Sequence, residues 1–175
     1  GWGFSAWISV GDESVLFDTG ADKLVFEQNA RALGCNLSTL GALVLSHEHC
    51  DHIGAVSAVT RKGVRLYVPA AFARRFAGQR RSGVQVIAVR RSEQICPGVK
   101  STGQFGRKIR EQALLVDGTE GPVLITGCAH AGIVTVAERS MTTTVSDIEH
   151  IESQSYNGVA VIRVFFQPNV KIDLA

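Results

Sequence analysis

Leu45-Ser46-His47-Glu48-His49-Cys50-Asp51-His52-Ile53-Gly54 holds three of the chain's five histidines within six residues. With this composition the pattern H-x-H-x-D-H arises by chance in only about 2 of 10,000 chains. The spacing has a physical logic. Residues two apart on an extended segment face the same side, so His47 and His49 can address one metal ion. The apolar run Ala42 to Leu45 ahead of them reads as a buried strand that fixes the backbone at the lip of a sheet. Asp51 and His52 come after the chain turns and can address a second ion beside the first. Imidazole with carboxylate suits zinc, and also manganese or iron, better than calcium or magnesium. Cys50 alternates with these ligands and is expected to point away.

Working outward, Leu124-Ile125-Thr126-Gly127-Cys128-Ala129-His130 is an apolar strand running into a Gly-containing polar turn, with a helix expected over Ile133 to Arg139. Such a turn displays a side chain at a strand end, and His130 is the natural third imidazole for the first ion. Cys128 is a weaker candidate, since small buried cysteines are common at such turns. His150, in Glu-His-Ile-Glu, falls in an acidic stretch near Asp147 to Glu152 that reads as helical. It is expected to be a surface residue, with completion of the second site by His150 or Cys128 left open.

Before the cluster, Ser5 to Val10 and Ser14 to Phe17 read as strands joined at Gly11-Asp12, ending in Asp18-Thr19-Gly20. Ala21 to Leu33 reads as a helix with a glycine exit at Gly34, and Ser38 as the cap of a short turn. After the cluster the expected order is a short helix over Ile53 to Val59, a strand over Val64 to Val68, a helix over Ala70 to Phe76 and a strand over Val84 to Val89. Strands over Ala113 to Val116 and Val123 to Thr126 flank a turn at Asp117-Gly118, and Val159 to Phe166 reads as a last strand. Helices alternate with strands, yet tight glycine turns also join strand to strand. That mixture predicts an α/β sandwich rather than a purely parallel sheet.

The 175 residues suit one domain, with an apolar fraction of 45% that excludes a disordered chain. Four cysteines without a CxxC pair are too few for a disulfide scaffold. Gly1 to Val10 carries no basic segment of the kind that opens a secretory leader, and the longest uncharged run, Gly121 to Ala137, is broken by Pro122 and His130. These features predict a cytoplasmic protein outside the membrane. The single methionine is Met141, so a processed chain or a fragment is expected. Net charge is +2, but thirteen of the eighteen Lys and Arg lie within residues 61–110, against one acid, Glu93. This segment is either a solvated basic face or a rim that attracts an anionic substrate such as a phosphate ester. No aromatic residue lies between 77 and 104, so stacking of single-stranded nucleic acid is not supported there.

Asp18-Thr19-Gly20, the segment Leu45 to Gly54 and Thr126-Gly127-Cys128-Ala129-His130 together resemble the metallo-β-lactamase superfamily. Ser101-Thr102-Gly103-Gln104-Phe105-Gly106 and Glu111-Gln112-Ala113-Leu114 further resemble its 7,8-dihydropterin-6-yl-methyl-4-(β-D-ribofuranosyl)aminobenzene 5′-phosphate synthase-like branch. The resemblance covers about residues 2 to 138. It implies an αββα four-layer sandwich, incomplete at both ends, with a core over 1–138 and a divergent tail over 139–175 of the same domain. It further implies one or two zinc ions and a metal-bound hydroxide as nucleophile. Carried over, His47, His49 and His130 hold the first metal, Asp51 and His52 the second, and Asp18 orients a ligand. Asp51 is also the expected catalytic residue, orienting the nucleophile or taking a proton. The family's opening strand and its later Gly-Gly-x-His-Leu ligand motif are absent, leaving the second metal short of ligands.

The leading expectation is a metal-dependent hydrolase acting on a small anionic or phosphate-bearing molecule. A metal-binding remnant with little activity and a nuclease of the same superfamily are the alternatives. The nuclease ranks last because no second domain for nucleic acid is recognisable, and the sequence is silent on oligomeric state.

Overall fold

In a computed structural model, residues 3–118, 121–140, 148–156 and 159–166 are described. The chain opens with a hairpin of β1 (Ala6–Val10) and β2 (Glu13–Phe17), turning at Gly11-Asp12 as the sequence predicts. Three parallel strands follow beside β2: β3 (Ala42–Val44), β4 (Arg65–Pro69) and β5 (Gln85–Val89). Together they form a five-stranded sheet in the order β1-β2-β3-β4-β5.

In this register Leu16, Leu43, Leu66 and Val86 lie side by side and bury one face of the sheet. Against them pack Phe26 of helix α1 (Lys23–Ala32) and Phe72 and Phe76 of the segment before β5. The alternate residues Val15, Phe17, Ala42, Val44 and Tyr67 bury the opposite face. A sheet covered on both sides explains why Ala42 to Leu45 is apolar at every position rather than every second one. Asp22 caps α1 by accepting a hydrogen bond from the Val25 N–H at 2.9 Å, and Gly34 takes the left-handed conformation after its end.

The second sheet is antiparallel and has the order β6 (Glu93–Cys96), β7 (Val99–Ser101), β8 (Leu114–Gly118), β9 (Gly121–Ile125). Ile95, Val99 and Leu114 face the first sheet, while Leu124 and Ala113 pack on Val136 and Ala137 of α3 (Ile133–Ser140). Helix, sheet, sheet and helix therefore stack in four layers, the expected αββα sandwich. A final hairpin pairs β10 (Ile148–Tyr156) with β11 (Val159–Phe166).

The structure corrects several local expectations. Of the stretch expected to be helical near Asp147 to Glu152, Asp147 lies outside the described residues and Ile148 to Glu152 is strand, because it pairs with the β-branched run of β11, with His150 opposite Phe165. The helix expected over Ile53 to Val59 starts earlier, as the single turn α2 (Cys50–Ile53), followed by a separate 3-10 turn at Val56–Ala58. Gly54 divides the two. A Cβ there would collide with the Ala21 carbonyl, so the chain packs tightly on the loop after β2. Residues 73–82 form 3-10 turns in place of the helix expected from Ala70. Asp117 and Gly118 continue β8, paired with Pro122 and Gly121, so they are not the turn. Asn36, not Ser38, caps the short turn at Leu37–Thr39. The short strands β6 and β7 have no counterpart among the strands expected from sequence.

Candidate metal centre

The site lies where the ends of β2, β3 and β9 meet. Its foundation is Asp18, fully buried and with the strained backbone angle φ of 60° that few non-glycine residues adopt. The Asp18 carboxylate accepts three hydrogen bonds: from the Ser46 N–H at 2.6 Å, the Ser46 hydroxyl at 2.5 Å and His52 Nδ1 at 2.6 Å. Burial pushes its pKa up from the ordinary carboxylate value, against the opposing pull of His52 and Ser46. Thr19 ties the same loop to α2, its N–H and hydroxyl both donating to the His52 carbonyl, at 2.7 and 3.1 Å.

These bonds fix where the ring protons sit. The Ser46 hydroxyl spends its one hydrogen on Asp18, so its 2.8 Å contact with His47 Nδ1 has the ring donating. His52 likewise donates Nδ1–H to Asp18. In both rings the proton is on Nδ1, which leaves the Nε2 lone pairs for the site. His47 is buried, and that burial together with the neighbouring His52, His49 and His130 lowers its pKa to about 3. It is a neutral imidazole at pH 7, the protonation state a metal ion requires.

The rings of His47, His49 and His130 face one another with centroids 4.6 to 4.9 Å apart, and the Nε2 atoms of His47 and His130 are 3.3 Å apart. Next to them, Asp51, His52 and Cys128 bring one ligand atom each within 4.8 Å of the others, as do His47, Cys128 and His130. Asp51 Oδ2 is 3.5 Å and Cys128 Sγ 3.2 Å from His52 Nε2. Burial raises the Cys128 thiol pKa, with Asp51, Asp18 and Glu111 adding to it. The protonated thiol therefore donates to His52 Nε2. Of the five sequence-predicted ligands, His47, Asp51, His52 and His130 fall in these groups, while His49 packs its ring against His47 and His130 but belongs to no such group among the described residues. Cys128, the weaker candidate, joins both groups, whereas Cys50 is exposed and belongs to no such group among the described residues. Imidazole, carboxylate and thiol donors so grouped suit a borderline divalent metal ion in their chemistry.

The sequence reading missed the support beneath His130. Glu111 is buried, and its two carboxylate oxygens accept from the backbone N–H groups of His130 at 3.1 Å and Ala131 at 2.7 Å. Gln112 beside it donates its side-chain amide to the Leu45 carbonyl at 2.8 Å, while its own backbone N–H donates to the Ser46 carbonyl at 2.9 Å. The pair clamps the His130 turn and the histidine-bearing strand end into one unit. A polar Glu-Gln pair directly ahead of the apolar Ala113-Leu114 was the available signal.

Gly127 closes the gap from the other side. A Cβ at this position would lie 2.5 Å from Ser46 Oγ and 3.2 Å from His47 Nδ1. Gly127→Ala is therefore expected to push Ser46 off Asp18 and cost about 1–3 kcal/mol, as overpacking does. Urea unfolding of the metal-free protein measures this. An unchanged midpoint would mean that the turn has room to shift.

Comparison with known proteins adds the decisive match. Residues 3–140 match the sequence profile of the metallo-β-lactamase superfamily. The chain belongs to that superfamily. A protein of Methanocaldococcus jannaschii described as uncharacterized is 25% identical over 169 residues, which cover 78% of this chain and 66% of that one. Among solved structures, the metallo-β-lactamase fold protein YhfI from Bacillus subtilis superposes with a TM-score of 0.55 at 18% identity, over 70% of this chain and 53% of its own. A metallo-β-lactamase of Cronobacter sakazakii gives 0.56 at 20% identity, over 82% and 59%. A quorum-quenching N-acyl homoserine lactone lactonase gives 0.53 at 18%, over 69% and 58%. The structural relatives share the fold, and this metallo-β-lactamase-superfamily chain spans between half and two thirds of each relative's length.

Proposed function

We propose that this chain is a zinc-dependent hydrolase of small anionic molecules, with His47, His49 and His130 holding one ion and Asp51, His52 and Cys128 a second. The observation that carries the reading is the pair of Nδ1 contacts, His47 to Ser46 at 2.8 Å and His52 to Asp18 at 2.6 Å, which leaves both Nε2 atoms free for the same small volume. A divalent ion held there supplies Lewis acidity, polarising a carbonyl or phosphoryl oxygen and letting water ionise near neutral pH.

The chain's own residues set the rest. Asp51, only partly buried, has a carboxylate that reaches the site and solvent, so it can orient a water molecule and accept its proton. Asp18 and Ser46 hold His52 and His47 in register, so that neither ring has to reorganise when substrate arrives. The likeness of the Ser101–Gly106 and Glu111–Leu114 segments to the dihydropterin-phosphate synthase-like branch supports a phosphate-bearing substrate. Four unpaired cysteines support a cytoplasmic setting, and no helix among the described residues is long and apolar enough to cross a membrane.

Because the chain spans only 53–59% of the solved relatives named above, a metal-binding remnant with little turnover is the second reading. Elemental analysis of the purified chain separates the two alongside hydrolysis of an ester, lactone and phosphodiester panel. The hydrolase reading expects close to two zinc ions per chain, a loss on His49→Ala and turnover of at least one substrate. Metal without turnover selects the remnant, and absence of bound metal defeats both.

A further inference from the structure

A cleft of about 630 Å3 opens beside His130, between the loop 106–110 and α3. Its walls include Arg107, Lys108 and Arg139, together with His130 and Thr135, and no acidic residue lines it among the described residues. The ion pairs among the described residues engage Lys23, Arg65 and Arg75 but none of these three cations. Other basic residues of the 61–110 segment are occupied elsewhere. Arg61 donates to the carbonyls of Leu37, Ser38 and Leu40, Arg80 to that of Val86, and Arg75 pairs with Glu48. The adjacent arginines Arg74-Arg75, Arg80-Arg81 and Arg90-Arg91 do not line this cleft.

The loop bearing Arg107 and Lys108 is built to hold a fixed place. Phe105 and Glu111 close it with a pair of backbone hydrogen bonds at 2.9 and 3.0 Å, and the Arg110 guanidinium donates back to the Gly106 carbonyl. Gly106 makes the turn possible: it has φ of 88°, and a Cβ would collide with the Ile109 carbonyl oxygen. The residue that closes this loop, Glu111, is the same one whose carboxylate grips the His130 and Ala131 N–H groups. One buried side chain thus locks the basic loop to the turn that presents a candidate metal ligand. Arg139 reaches the cleft from the last turn of α3, outside the basic segment.

We propose that this cleft is a subsite for the terminal phosphate of a phosphomonoester substrate, held by Arg107, Lys108 and Arg139, with the rest of the substrate directed past His130. The proposal rests on the hydrolase reading for the chemistry after binding, but the anion contacts themselves do not need the metal. Three cations suit a dianion better than a carboxylate, and two guanidinium forks match the planar pairs of oxygens on a tetrahedral phosphate.

Calorimetric titration of inorganic phosphate into the full chain, both zinc-loaded and stripped with chelator, tests this. Saturable binding is expected in both states. Arg107→Ala with Lys108→Ala, and separately Arg139→Ala, are expected to weaken it about tenfold or more, the size of one lost charge-assisted hydrogen bond. Arg107→Lys should recover part of the loss, and Arg75→Ala, outside the cleft, should leave phosphate binding intact. Circular dichroism confirms that these exposed-site variants fold. The proposal is overturned if stripped wild-type protein shows no saturable phosphate binding, or if the cleft variants bind as tightly as wild type. A failure of the hydrolase reading looks different: zinc or turnover is missing while the cleft still discriminates phosphate.

Discussion

Asp18→Ala is expected to lower Tm by about 6–20 °C, a loss of roughly 3–5 kcal/mol in a protein of this size. The side chain is wholly buried and is the common acceptor for the Ser46 N–H, the Ser46 hydroxyl and His52 Nδ1. Removing it strands all three donors away from water, and each stranded group costs desolvation without a bond in return. Asp18→Asn separates this structural effect from ligand positioning. The amide fills the same volume and keeps one acceptor oxygen, but its NH2 must face either Ser46 or His52. Facing His52, it drives that ring's proton onto Nε2 and removes the lone pair from the site. The asparagine variant should therefore stay folded while its zinc affinity drops about 10–100-fold, the usual cost of losing a partner behind a metal-bound histidine. Thermal melts with and without zinc, plus competition against a chelating dye, read both quantities. Wild-type affinity in the asparagine variant would show that Asp18 acts only as a structural anchor.

The parts of this molecule that are legible in its sequence are those encoded in contiguous residues. Ala42 to Leu45 signals a buried strand because both of its faces are covered, and His47 to His52 signals a ligand cluster because neighbours in sequence are neighbours at a strand end. Glu111 is not legible as a clamp, since its partners at His130 and Ala131 lie 19 and 20 residues away and meet it only through the tertiary fold. β6 and β7 escape notice because they are only four and three residues long, with Gln94 and Lys100 on the exposed side. The acidic stretch leading into Ile151 has tolerable helical chemistry of its own and becomes strand β10 through its pairing with β11. Long-range pairing overrides local preference there. The basic segment shows the same limit in another form: composition locates the positive charge, while only the fold distinguishes Arg107 and Lys108 at the cleft from Arg61 and Arg80, which bind carbonyls.

Cys128→Ser is the second substitution with a large expected effect, and it bears on how the second ion is held. The thiol is the one donor shared by the His47–His130 group and the Asp51–His52 group. Serine preserves the size of the side chain and its ability to donate to His52 Nε2, but a neutral hydroxyl is a far poorer ligand for a borderline ion than a thiolate. Titration with cobalt(II) provides a readout independent of activity, because a cobalt–thiolate bond gives an intense near-ultraviolet charge-transfer band that imidazole and carboxylate ligands do not. Wild-type protein is expected to take up two cobalt ions and to develop that band. The serine variant should keep one ion on His47, His49 and His130, lose the band, and bind the second ion about tenfold or more weakly. Thiolate ligation also releases a proton, so wild-type uptake should acidify an unbuffered solution by more than uptake in the variant does. If the band is absent from wild type, or if serine leaves both ions equally tight, Cys128 is a packing residue and Asp51 and His52 must draw their further ligands from water or substrate.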